Sequence, residues 1–278
     1  MKNILKIMLM MITIFTIAGS AVYAAEIPVS DQDQLITSSD WTEISNLQDE
    51  MKKEEPDATI DYDKALKVYV DCNLIKLQTA DTKKLTSALE SANYVWVIPF
   101  KMEKTYGMFT VAKGLPLREE AKSVLTKAEQ EEVKNHAGKW MITETAEHTV
   151  EPYYDILLEK REALSDCTRV VLVGSQPGMR QPVALGMDDE TARIWISLGY
   201  QYPVMEKIPE TQNGESGVYS FDSVAEISDT YIEDSEVSTG AGVQSRSSMK
   251  YVAGIGIVLI GSILILSVLK KKKIKSED

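Results

Sequence analysis

The sequence predicts an α+β fold, a single mainly antiparallel sheet with helices packed on it, plus one C-terminal transmembrane helix. Three observations carry this. Short β-branched and aromatic runs such as Tyr94–Lys101 and Tyr106–Lys113 follow one another across brief polar links, the pattern of hairpins. Between such runs lie segments whose apolar residues recur at helical spacing. Near the chain's end an uncharged apolar run of about 19 residues, Tyr251–Leu269, matches the ~30 Å hydrocarbon core of a bilayer at ~1.5 Å rise per residue.

The two ends define the expected domain organisation. Lys2 and Lys6 precede an apolar stretch from Ile7 to Ser20, and Val22-Tyr23-Ala24 offers small residues for cleavage, so residues 1–24 read as a signal peptide. Lys270, Lys271, Lys272, Lys273 and Lys275 follow the apolar run as a stop-transfer block, which keeps residues 270–278 cytoplasmic and the N-terminal domain outside. The expected localisation is therefore the cell membrane, single-pass.

The whole chain carries a formal charge of −12. Because the lysines cluster at the tail, the exterior portion carries about −18. Such a surface is repelled by nucleic acid and anionic lipid, so no nucleic-acid partner is expected. The lipid bilayer is a partner only through the span. No Asn-x-Ser/Thr acceptor occurs, which disfavours a eukaryotic secretory origin.

Signal peptide, exterior domain, polar stalk, single span and short lysine tail together resemble the layout of membrane-anchored extracytoplasmic surface proteins of Gram-positive bacteria. The resemblance implies display at the cell surface and no particular activity. Wall-sorted members carry an LPxTG-type sequence before the span, whereas this chain has Glu236-Val-Ser-Thr-Gly240, without the Leu-Pro. Covalent attachment to the wall is therefore not implied.

Within the exterior part, residues 25–60 read as a polar N-terminal segment with one short helix. Asp40 is placed as its capping carboxylate, with Trp41, Ile44, Leu47 and Met51 packing loosely. The folded unit is expected over residues 61–208. Leu66–Cys72 alternates as a strand; Asp81 caps a helix to Glu90 with Leu85, Ala88, Leu89 and Ala92 inward. After the hairpin at 94–113, a helix is expected from Leu117 to His136 and closed by Gly138 in a left-handed conformation. A strand at 139–145 and a helix opened by Pro152 follow. Arg169–Gly174, Gln181–Met187 and Arg193–Leu198 form a three-strand meander, with the helices on one face of the sheet. Residues 209–250, rich in Gly, Ser, Thr, Asp and Glu, read as an acidic flexible stalk, although Tyr219, Phe221 and Tyr231 offer aromatic contacts.

No catalytic constellation emerges. Gly174-Ser-Gln-Pro-Gly178 places its serine one position early for a nucleophile elbow and reads as a turn. His136 and His148 flank a predicted strand rather than sharing a helical turn, so no zinc pair forms. Asp188-Asp-Glu190 lacks the alternating ligands of a calcium loop. No cofactor or metal is expected. The ligand-binding candidates are Trp96, Trp140 and Trp195, which could grip a peptide or sugar if they converge on one exposed sheet face, and Arg180, which could pair a ligand carboxylate. Each has a plainer reading, as core aromatics and an ordinary surface arginine.

Cys72 and Cys167 are the only cysteines, and in an exterior domain a disulfide between them is the expected state, two buried thiols the alternative. The chain is thus expected to be a single-pass surface protein that presents a ligand- or partner-binding domain to an unknown surface ligand or membrane protein. An extracellular Asp/Glu-dependent hydrolase and an accessory subunit of a membrane complex are the alternatives.

Overall fold

Alternating apolar residues in the strand segments bury both faces of one sheet, and the connections decide its order. The computed structural model describes residues 27–148, 151–174, 176, 182–199 and 216–226. Nine strands are described: β1 (Thr59–Ile60), β2 (Leu66–Tyr69), β3 (Tyr94–Lys101), β4 (Tyr106–Lys113), β5 (Trp140–His148), β6 (Arg169–Val173), β7 (Val183–Met187), β8 (Ala192–Ser197) and β9 (Val218–Ser220). They join in the order β5-β4-β3-β2-β6-β7-β8-β9, with β1 pairing the far end of β3.

Every strand pair is antiparallel except β2 with β6, which runs parallel and matches only Val68 with Leu172 and Tyr69 with Val173. The sheet is therefore two four-stranded meanders, β2–β5 and β6–β9, meeting at one short parallel seam. The α+β class with a mainly antiparallel sheet holds, as do the 94–113 hairpin and the final meander.

Among the described residues the helices include α1 (Trp41–Ile44), α2 (Gln48–Glu54), α3 (Thr82–Glu90), α4 (Glu119–Lys122), α5 (Lys127–His136) and α6 (Tyr153–Glu159), and residues 221–226 are also helical. Asp81 caps α3 by accepting from the Lys84 amide, and Leu85 and Leu89 face inward as the sequence predicts. The helix expected over 117–136 is broken in two. Thr126 and Glu129 form a reciprocal capping box that starts α5 afresh, since each side chain satisfies a backbone donor that a continuous helix would have used. Gly138 does take a left-handed conformation, at φ 75°.

Helices cover both faces rather than one. On the first face α3 packs over Val171, Leu185, Trp195 and Tyr219, while Ile44 of α1 and Met51 of α2 pack over Trp96, Ile98, Phe109 and Trp140. On the second face Tyr153 and Leu157 of α6 pack over Val68, Val97, Val170 and Ile196. Single strands such as β6 feed both sides, Val170 and Leu172 to one and Val171 and Val173 to the other.

The folded unit also extends beyond 61–208. Ile27, Val29, Leu35, Ile44, Met51 and Ala58 are buried upstream; downstream β9 pairs β8, and Tyr219, Phe221 and Val224 are buried in the first-face core. The polar average of these flanks hides apolar residues spaced singly, each filling a specific hole. The expected stalk thus loses at least residues 216–226 to the fold. Among the described residues no helix is long and apolar enough to cross a membrane; the predicted signal peptide, span and lysine tail lie outside them.

The expected disulfide is absent. Both cysteines are free. Because β2 and β6 are parallel, Cys72 follows the last residue of β2 while Cys167 precedes the first of β6, at the opposite end of the seam. Cys72 packs against the first-face core and Cys167 lies in the second-face core, so the thiols are separated by the sheet itself.

Leu35, fully buried upstream of the predicted domain, provides a test of the enlarged fold. Leu35→Ala is expected to cost about 2–5 kcal/mol in denaturant unfolding, the range for a truncated core leucine. A loose N-terminal segment would give a change near zero.

Candidate functional site

The seam between β2 and β6 is where the chain concentrates buried charge. Past their two paired residues the strands diverge, and the N-terminal segment fills the gap. Val29 bridges to Val170 of β6 and Gln34 to Leu66 of β2; the Val170 amide donates to the Pro28 carbonyl at 2.7 Å and the Leu35 amide to the Ala65 carbonyl at 3.2 Å. Residues 28–35 thus run out along one strand, turn through a 3₁₀ turn at Asp31–Asp33, and return along the other. They form a plug. The Gln34 side-chain amide ties its two limbs by donating to the Val29 carbonyl at 3.1 Å.

Asp33 anchors the plug and is only 2% exposed. Its Oδ1 accepts from the Tyr69 hydroxyl at 2.8 Å, and its Oδ2 accepts from Arg169 at 2.9 Å and from the Ser30 hydroxyl at 2.6 Å. Tyr69 lies on β2 and Arg169 on β6, so one carboxylate cross-links the two meanders. Lys67 Nζ approaches the same Oδ1 at 3.9 Å, within ion-pair range but beyond a hydrogen bond.

Lys67 stands in a box of rings. Its ammonium lies 4.5 Å from the Tyr94 centroid, 5.2 Å from Trp96 and 6.0 Å from Tyr69. The strand register makes this arrangement, since Lys67 faces Trp96 and Tyr69 faces Tyr94 across β2 and β3. Asp40 secures the far wall: its Oδ2 accepts from the Tyr94 hydroxyl at 2.8 Å and from Trp96 Nε1 at 3.0 Å. Asp40 stands before the first helical residue as expected, but its carboxylate makes these tertiary bonds and no capping bond.

Burial sets the proton affinities. It lowers that of Lys67 below the ordinary lysine value, with Asp33 and then Asp40 opposing and Arg169 assisting. Burial raises Tyr69, reinforced by Asp33, and raises Tyr94, reinforced by its bond to Asp40. Away from the seam, burial pushes Cys72 up to about 12, with Asp71 adding, and Cys167 up to about 11, with Asp166 and Asp188 adding.

The tryptophans singled out from the sequence do not form a grip. Trp96 and Trp195 are fully buried and Trp140 nearly so, in two separate first-face cores. Arg180 lies outside the described residues. His136 ends α5, and Asp188 folds its own turn by accepting from the Glu190 and Thr191 amides and pairing Arg193. Among the described residues no cluster of His, Cys, Asp or Glu could hold a metal ion.

The sequence reading missed Asp33, Lys67 and Arg169. Lys67 and Arg169 were legible only as the polar positions of half-exposed strands, and Asp33 as one acid among many. The signal was the interruption itself, a lysine and an arginine within otherwise β-branched runs. No protein-family model, curated protein or solved structure matches this chain.

Two measurements follow from this geometry. Asp33→Ala leaves Lys67, Arg169 and Tyr69 facing an empty acceptor and is expected to cost about 3–5 kcal/mol, more than Asp40→Ala at about 1–3 kcal/mol, which strands two neutral donors. Equal costs in urea unfolding would contradict the cross-link.

The second concerns alkali. Groups whose folded affinity is raised hold protons that the unfolded chain has released, so their contribution is complete below the unfolded value and is lost as pH rises through the folded one. For the two thiols that window opens near pH 9, and the tyrosines join above about 10. Lys67, being lowered, acts in the opposite sense. The urea midpoint is expected to fall from pH 9 to 11, and Cys72→Ala with Cys167→Ala should flatten its first part. An unchanged slope in that double variant would refute the assignment.

Proposed function

We propose that this chain is a single-pass, membrane-anchored surface protein whose α+β domain binds a ligand or partner outside the cytoplasmic membrane. The observation that carries the reading is the order at the C-terminal end, an uncharged run Tyr251–Leu269 followed at once by Lys270–Lys273 and Lys275. Lys2 and Lys6 ahead of the apolar stretch 7–20 support the same orientation. The domain between them is joined to the run by about 24 residues beyond 226, a tether long enough to hold it clear of the lipid surface.

The acidic exterior suits a soluble display domain and disfavours polyanionic partners. A carboxyl-based hydrolase draws no comparable support. It requires an acid of raised affinity, whereas among the described residues the shifted carboxylates, Glu129 and Asp188, are both lowered, first by backbone donors.

Protease treatment of intact cells expressing the chain with a C-terminal epitope is the topology test. The expected result is loss of the domain with a protected, membrane-bound epitope fragment; an epitope digested from outside, or recovery of the whole chain in the soluble fraction, contradicts the reading. Binding is tested on the full chain in detergent by thermal unfolding against sugars, cell-wall fragments, peptides, amino acids and metal ions. A dose-dependent rise in Tm identifies the ligand class, because a ligand selective for the native state must stabilise it. A flat response throughout shifts the weight to a protein partner.

A further inference from the structure

We draw no further inference here: the strongest candidate, the outer edge of β5 at the rim of the sheet, pairs with no strand among the described residues, and nothing in the structure shows what covers it.

Discussion

Backbone pairing joins β2 to β6 over only two residue pairs, and on the N-terminal side of those pairs the Asp33 carboxylate ties the two strands together. A parallel pair that short supplies few hydrogen bonds between two meanders that share their apolar cores. Asp33 supplies what is missing by accepting from Tyr69 on one side and Arg169 on the other. It is carried by a loop whose backbone is itself bonded to both strands. An apolar residue in its place would fill the space, but it would make no demand that an arginine stand on one strand and a tyrosine on the other. Directional bonds fix which strands meet and in what register.

The aromatic wall follows from the same constraint. Once Lys67 must sit near Asp33, the neighbouring first-face positions have to accommodate a cation without solvating it, and ring faces do so. Tyr94 and Trp96 carry polar atoms that then need acceptors of their own, which Asp40 provides. The plug and the turn before α1 thus contribute one carboxylate each, seven residues apart. Residues that look like an acidic leader from composition are the counter-charges of the sheet's centre.

How much of this could be read from the sequence depends on whether the signal was local. The 94–113 hairpin, the 81–90 helix and the final meander were legible because periodicity and capping are encoded within a few residues of each other. The break at Thr126 is equally local, a capping box inside a helical pattern, but the apolar spacing on either side reads as continuous. The disulfide expectation failed because it needed the direction of β6 relative to β2, which neighbouring residues do not specify. Lys67, Arg169 and Asp33 lie far apart in the chain, and each is ordinary alone. Only the parallel seam makes them one site. Likewise Tyr219 and Phe221 read from composition as aromatic residues of a stalk, whereas Trp195 and α3 hold the hydrophobic hole that they fill.

The placement of the plug also orders the folding of the chain. Residues 28–35 emerge first from any N-terminal-first process, whereas their partners Arg169 and Val170 come more than 130 residues later. The β2–β5 meander has its strand pairs close in sequence and closes cheaply by local contacts. The plug can engage one side of its groove once β2 exists, through Leu35 and Ala65, but Asp33 keeps an unmatched valence until β6 arrives. A buried carboxylate short of its arginine disfavours premature closure, because Asp33 gains its full set of donors only with both meanders present. The cross-link that holds the seam therefore also makes its completion depend on both halves.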